Sequence, residues 1–440
     1  MSATTNATIP AAPAWPVVGN SLEIVRDCYG FHGKQFARFG SVYRSQFFGA
    51  ERVNLYGADA VETVLMDKNG IFSSKSGWSM VGGLFGGGLM LRDFSDHRAH
   101  RRMLQPAFRA GAMRDYLSHM SREVEARLDA WPVGQEFRFF WQVRALTLSI
   151  ASRVFMGIED EAECKRLGAL FLAELDASAS PIRAPLPLTP MRKGINARAE
   201  LRRTFKAMIP ERRAGQGEDI FSEFCRLTDE EGRHLSDDEI VDHFNFLLFA
   251  AFDTTTTALT AMMWGMVDHP EWQDAVAAEV ATLEDRPLTY DDLDRMTVTD
   301  CVFKEALRLM PPVPFIPRGV TEEFEWEGHR IAAGSSVTVA PGLVMMDPEF
   351  WTDPERFDPD RFSSNRAEDQ SHRFAWSPFG GGAHKCIGMH FSLMEVKAVT
   401  AAFFRRFRIS RARAGPTAWQ RLPIPRPKDG LPVNLRRVAA

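Results

Sequence analysis

The sequence predicts a mostly α-helical protein with a small β-sheet region. Three observations carry that expectation. Helical periodicity runs through most of the 440 residues. Only two segments, 41–56 and 324–340, alternate like short paired strands. One stretch near the middle reads as a single helix of roughly thirty residues, so about 45 Å at 1.5 Å each. Many helices with few strands make a mostly α fold.

In chain order, residues 1–20 form a Pro-rich leader. Pro10, Pro13 and Pro16 favour extended chain, and without a basic or apolar stretch the leader does not read as a signal peptide. Segment 41–56 reads as a hairpin around Gly49-Ala50. Segment 76–91 (SGWSMVGGLFGGGLML) is Gly-rich, apolar and uncharged; it reads as a loop covering an apolar ligand cavity. Leu117–Trp131, Trp141–Phe155 and Pro270–Leu283 read as amphipathic helices. Segment 177–190 holds four prolines and reads as a surface loop between two helices. Segment 324–340 reads as a short strand pair around Gly328 and Gly334. No clean boundary appears, so residues 1–440 are expected to form one domain, with a central helix over 236–268 and a loop plus helix over 379–407.

Composition excludes several function classes. Lys+Arg 53 against Asp+Glu 57 gives a net charge of −4, so no nucleic-acid partner is expected. Five cysteines at wide spacing, with no CxxC, argue against a disulfide framework and for a reducing cytoplasm. Phe 33 against Tyr 5 suits a dry apolar interior. Phe244–Val267 is apolar enough to suggest a membrane span, but a central Asp253 costs about 2.5–3.5 kcal/mol on insertion. A core helix is expected instead, with no membrane anchor. Nothing in the sequence demands an oligomer, so a monomer is expected.

Two motifs carry chemistry. Ser236-Asp237-Asp238-Glu239 is a capping box opening the long helix, and Asp268-His269-Pro270 closes it. Between them lies Ala250-Ala251-Phe252-Asp253-Thr254-Thr255-Thr256-Thr257. Four β-branched residues and an acid on an apolar helix are a local conflict, which concentrates at functional sites. Near the C-terminus comes Phe379-Gly380-Gly381-Gly382-Ala383-His384-Lys385-Cys386-Ile387-Gly388, followed by a helix over Met389–Phe407. The glycines would let the backbone turn and approach a large flat object. Cys386, just before a helix, sits where a thiolate is favoured. Three readings compete: zinc ligation with His384 and His390, a catalytic nucleophile, and axial ligation of haem iron.

These segments resemble the cytochrome P450 superfamily, the haem-thiolate monooxygenases. Phe379, Gly382, Cys386 and Gly388 match its Phe-x-x-Gly-x-x-x-Cys-x-Gly pattern. Ala250, Asp253, Thr254 and Thr255 match its Ala/Gly-Gly-x-Asp/Glu-Thr-Thr/Ser, departing at Ala251. Glu305-Ala306-Leu307-Arg308 matches Glu-x-x-Arg. Phe357-Asp358-Pro359-Asp360-Arg361-Phe362 matches the later Pro-x-Arg-Phe element, with Pro354-Glu355-Arg356-Phe357 as a second register. The four elements occur in the family's order.

The resemblance implies a single large haem-thiolate fold holding haem b, with Cys386 as iron ligand. His97, Arg101, Arg318 and His384 would meet the haem propionates, and Ala250, Phe379, Gly380 and Gly388 would lie against the haem. Asp253 and Thr254 would deliver protons to the distal oxygen. Glu305, Arg308 and Arg361 would form a structural triad. With Phe246, Phe249 and Ala250 on one helical stripe, Trp78, Leu84, Phe85, Val313 and Phe315 would complete a substrate cavity for a bulky apolar compound such as a terpenoid, steroid or fatty acyl. Electrons would come from NAD(P)H through a separate ferredoxin and its reductase, docking on Arg98, Arg102, Lys385, Lys397, Arg405 and Arg406. The alternatives are a peroxide-using haem-thiolate enzyme and a non-catalytic haem sensor or carrier.

Overall fold

The computed structural model describes residues 8–180 and 182–438, so the first seven residues of the leader and Pro181 lie outside the described residues. Helices dominate, as the periodicity predicts. At the centre is Asp237–Asp268, a continuous 32-residue helix. It starts where the sequence says it should: the Ser236 hydroxyl accepts from the Glu239 N–H at 3.3 Å, and the Glu239 carboxylate accepts from the Ser236 N–H at 2.9 Å. Its threonines do not break it. Thr254, Thr256 and Thr260 each donate a hydroxyl to the carbonyl one turn back, at 2.6, 2.9 and 2.7 Å. In the most apolar window of this helix 61% of residues are buried, which makes it a core element.

Around this helix pack Ala110–Asp129, Phe139–Ile150, Glu161–Ser178, Pro190–Ala214, Pro270–Ala281, Thr297–Leu309 and Met389–Arg406. The Phe139–Ile150 helix runs on into a π turn at Ala151–Phe155, where the periodicity alone suggests one uninterrupted helix. The loop expected over 177–190 is borne out: one helix stops at Ser178, the next starts at Pro190, and Ile182, Leu186 and Leu188 face solvent.

The sheet is small. Val42–Phe47, Ala50–Leu55, Ser336–Val339, Ile316–Val320 and Phe72–Ser73 lie side by side in that order. The second and third run parallel and the other neighbours antiparallel. The hairpin turns at Phe48-Gly49, both at positive φ, one residue earlier than expected. In the later segment Phe324–Trp326 pairs with His329–Ile331, whereas Ser336–Val339 leaves to join the large sheet. Residues 8–14 of the leader are extended and tied to the sheet edge, with the Ala12 N–H donating to Arg44 O and the Arg44 N–H to Pro10 O, both at 2.8 Å.

The Gly-rich segment corrects the expectation of a loop. Ser74–Gly77 and Ser79–Phe85 are helical and Leu89–Leu91 is a 3₁₀ turn. Val81, Leu84 and Phe85 sit at helical spacing and are all buried, so packing overrides the poor propensity of glycine. Its glycines allow close approach: a Cβ on Gly77 would lie 2.4 Å from Pro317 O, and one on Gly88 2.2 Å from the Phe246 Cβ. Arg183 fastens this segment to the 177–190 loop. Its guanidinium donates to Ser178 O at 3.0 Å, Ala177 O at 3.4 Å and Met80 O at 2.9 Å.

Glu305, Arg308 and Arg361 are wholly buried and meet. Arg308 donates to both Glu305 oxygens at 2.6 and 2.8 Å, and Arg361 Nε lies 3.3 Å from Oε1. Arg361, not Arg356, supplies the second guanidinium. Arg356 lends only its carbonyl, which accepts from both arginines at 3.2 Å. Remaining donors are absorbed by the carbonyls of Met345 and Asp353, at 2.9 and 2.7 Å. Glu305→Ala is expected to strand the buried Arg308, while Arg361 keeps Glu368 at 3.1 Å, and to cost about 3–5 kcal/mol of stability. Denaturant titration measures it; an unchanged midpoint would show that the network does not hold the fold.

Candidate active site

The 379–388 loop hangs between the Thr297–Leu309 helix and the Met389–Arg406 helix. Phe379 is half-buried against Trp376 and Phe303, with ring centroids 6.0 and 6.3 Å away. Its carbonyl accepts from the Cys386 N–H at 2.9 Å, closing the loop. The glycines divide by role, which corrects the reading that all three approach a ligand. A Cβ on Gly382 would lie 2.0 Å from Leu65 O, and one on Gly381 2.5 Å from the Phe374 ring, so both exist for protein packing. Gly380 alone, at φ +69°, has nothing within 4 Å of where its Cβ would stand. A Cβ on Gly388 would come 4.0 Å from Cys386 Sγ.

Cys386 has an accessible side chain, in surroundings dense enough for desolvation to dominate its electrostatics. Burial pushes its thiol above the usual range, more than the Gly388 N–H, Arg101 and Lys385 pull it down. Desolvation wins, and this sulfur needs a cationic partner to hold negative charge.

Four donors converge near it from three parts of the chain. His97 and Arg101 share one face of the Phe94–Leu104 helix, one turn apart. Arg318 comes from the sheet and His384 from the loop. The His97 and His384 rings lie 3.8 Å apart, centroid to centroid. Arg101 donates to Lys385 O at 2.7 Å, and its charge reaches Cys386. Burial holds His97 down to about 4, His384 down to about 2 and Arg318 down to about 10. Arg318 is buried, and its side chain donates only to Pro317 O, at 2.9 Å. His97 Nδ1 is buried without a hydrogen-bond partner. Among the described residues no carboxylate forms an ion pair with any of the four within 4.0 Å. Such a set fits a ligand carrying anionic groups, and the two propionates of haem meet that requirement beside an accessible sulfur.

The helix across the site is placed as expected, with differences in detail. Ala250 and Thr254 are half-buried, and Thr254 is engaged with Ala250 O. Asp253 turns the other way, with Oδ1 3.4 Å from Arg144 Nε. Burial raises its carboxyl and Arg144 only partly offsets that. Trp78, Leu84, Phe85, Phe246 and Phe249 do gather in one apolar cluster, with Phe85 and Phe249 stacked at 4.1 Å. Val313 is half-buried. Phe315 departs from the expected cavity: it packs against His32 at 4.6 Å and Tyr29 at 5.9 Å in the cluster under the N-terminal helices.

A scan of protein families matches residues 9–420 to the family described as Cytochrome P450. This chain is a cytochrome P450. A Mycobacterium tuberculosis protein named as cytochrome P450 136 is 35% identical over 427 residues, covering 96% of this chain and 87% of its own. Cyclooctat-9-en-7-ol 5-monooxygenase of Streptomyces melanosporofaciens is 31% identical over 78% of this P450 and 76% of its own length. The solved structure described as retinoic acid bound cyanobacterial CYP120A1 superposes with a TM-score of 0.89 at 28% identity, covering 99% of this chain and 100% of that one. The protein is accordingly a haem-dependent oxidoreductase of the monooxygenase type.

Two features escape the motifs. Lys397, expected on a docking face, is buried, donating to Leu293 O at 2.6 Å and pairing with Asp300 at 2.9 Å. Arg102 and Arg406 are paired with Glu230 and Asp129, at 2.7 and 3.2 Å; Arg98 and Lys385 are exposed. Glu395, on the Met389–Arg406 helix, is buried and bonded to Thr255, with its carboxyl pushed up to about 8 by burial. An acid in the middle of a long apolar stretch signals it only weakly.

Glu395 yields a pH prediction. Its folded carboxyl keeps a proton that the unfolded chain releases near pH ~4.3. Its contribution to stability is therefore full in acid and declines as pH rises from about 4.5 to about 8. Glu395→Gln is expected to gain on the wild type progressively between pH 5 and pH 8. Thermal midpoints of the two proteins across that range measure it; parallel curves would show that Glu395 titrates normally.

Proposed function

We propose that this P450 inserts one oxygen atom from O₂ into a C–H bond of a bulky apolar small molecule, of terpenoid, steroid or fatty acyl type. The observation that carries the reading is the convergence of His97, Arg101, Arg318 and His384 beside the accessible sulfur of Cys386. Bound haem b supplies oxygen activation, and the protein supplies the ligand, the cavity and the protons. Cys386 would hold the haem iron, with the Gly388 N–H bonded to its sulfur and Arg101 stabilising the negative form. The four donors would hold the propionates.

Thr254 and Asp253 bring protons to the distal side. In the resting arrangement Thr254 donates to Ala250 O and Asp253 faces Arg144. Delivery therefore requires Thr254 to turn from that carbonyl and Asp253 to exchange Arg144 for water. The aromatic cluster of Phe85, Phe246 and Phe249 favours an apolar skeleton, and the relative named for cyclooctat-9-en-7-ol supports a terpenoid. Electrons come from NAD(P)H through a ferredoxin-type donor and its reductase, docking near exposed Arg98 and Lys385. The protein works as a cytoplasmic monomer.

Two variants test this. Cys386→Ser is expected to lose the thiolate-type absorption of the reduced carbon monoxide complex; survival of that band would refute the ligand assignment. Thr254→Ala is expected to bind haem normally while product formed per NAD(P)H consumed falls about tenfold or more, in line with ~10²–10⁴ for positioned proton transfer. Unchanged coupling would remove Thr254 from the proton path.

A further inference from the structure

We propose that the tip formed by residues 182–195 docks the protein on an anionic lipid surface, with leucines among the acyl chains and cations at the headgroups. The contact is peripheral, and it does not depend on which substrate is oxidised.

The segment runs from beyond the Glu161–Ser178 helix into the first turns of Pro190–Ala214. Ile182, Leu186, Leu188 and Ile195 are exposed, Leu188 at 91%. Four of the fourteen bulky apolar side chains left exposed among the described residues thus crowd into this short stretch. Such a concentration marks an interaction site rather than chance exposure. Leu188 is also held at φ +67°, a left-handed backbone that bulky residues rarely adopt. Strain that only holds a leucine in water points to something that covers it.

The charge selects the partner. From residue 177 to residue 199 there is no acidic residue, and Arg183, Arg192, Lys193 and Arg198 are all cationic, in a protein of net charge −4. Further along the helix the cations are answered. Arg202 and Lys206 pair with Asp238, and Arg198 with Asp242. At the tip they are not. Arg192 and Lys193 are exposed, and among the described residues neither meets a carboxylate within 4.0 Å. Arg183 gives its guanidinium to the carbonyls of Ala177, Ser178 and Met80, which leaves its charge uncompensated. Two copies meeting tip to tip would set these cations against one another. An anionic lipid surface attracts every one of them.

The backbone suits lipid as well. Pro185, Pro187 and Pro190 have no N–H. The Leu186 N–H donates to Ala184 O at 2.9 Å and the Thr189 N–H to Leu186 O at 3.2 Å. The Thr189 hydroxyl donates to that same Leu186 carbonyl at 2.7 Å. A tip with few unpaired donors loses little on leaving water. Side chains that stand free in solvent fit a fluid surface, which needs no matching shape. Apolar groups at the centre with long cationic side chains beside them bind an interface without crossing it.

The test is sedimentation of haem-loaded protein with vesicles of phosphatidylcholine, alone or with about 30% phosphatidylglycerol. The wild type is expected to bind the anionic vesicles at least about tenfold more tightly, a preference that about 0.5 M salt removes. Arg192→Gln with Lys193→Gln, and separately Leu186→Ser with Leu188→Ser, are each expected to weaken that binding at least about fivefold. Arg192→Gln and Leu188→Ser singly repeat the comparison should a double variant not fold. Equal binding to both kinds of vesicle, or binding to neither, overturns the lipid surface. Binding that survives both double variants overturns the tip as the contact. Loss in the charge variant alone reduces the contact to adsorption and overturns the insertion of the leucines. A dimer that forms without vesicles and is abolished by the leucine variant makes a second copy the occupant and overturns lipid.

Discussion

Arg101 and Arg318 are brought together with the neutral rings of His97 and His384, and among the described residues no carboxylate pairs with them within 4.0 Å, although Asp93 and Asp67 act on Arg318 from farther off. Burying such groups is unfavourable unless an anion joins them. Three devices fix the four: one helix face for His97 and Arg101, a sheet strand and a closed loop. Arg318 is set by strand pairing opposite Val337, and His384 by a loop whose glycines nest against Leu65 and Phe374. The same burial raises the Cys386 thiol. Sulfur and cations therefore share one requirement, met by one ligand with a positive metal at its centre and negative groups at its edge.

The central helix answers a second constraint. It must carry polar groups across an apolar interior without breaking. Its threonines do so by returning their hydroxyls to the preceding turn, so the side chains that look most disruptive in sequence are satisfied locally. Polar groups that face outward from this helix find partners on neighbours instead: Asp253 on Arg144, Thr255 on Glu395 and Thr257 on the Pro425 carbonyl. Among the described residues Asn245 Oδ1 and His243 Nδ1 are left without a partner.

Much of this was legible in the sequence because it depends on local rules. The capping box, the proline stop and the Glu305–Arg308 spacing fix their geometry within a few residues. The second register for the triad arginine, by contrast, could be decided only by packing, which buries Arg361 and leaves Arg356 a backbone acceptor. Long-range packing also turned the 76–91 segment helical, withdrew Lys397 from the surface and carried Phe315 to the N-terminal cluster. Composition sees glycine, charge and aromaticity but not the neighbour that will cover them. The buried acids Glu174 and Glu395 were invisible for the same reason, since an acid in a helix is read as solvated until a second helix is laid over it.

Arg183 has a consequence for traffic. Anchored on its own side by Ala177 O and Ser178 O, it pins the proline-rich crossing through Met80 O to the short helix that bears Val81, Leu84 and Phe85. Anything bulky that slips between those two pieces must first unbutton this one guanidinium. Entry and escape by that route would then share a single latch, and the dwell time of a bound molecule would follow how often the latch is undone.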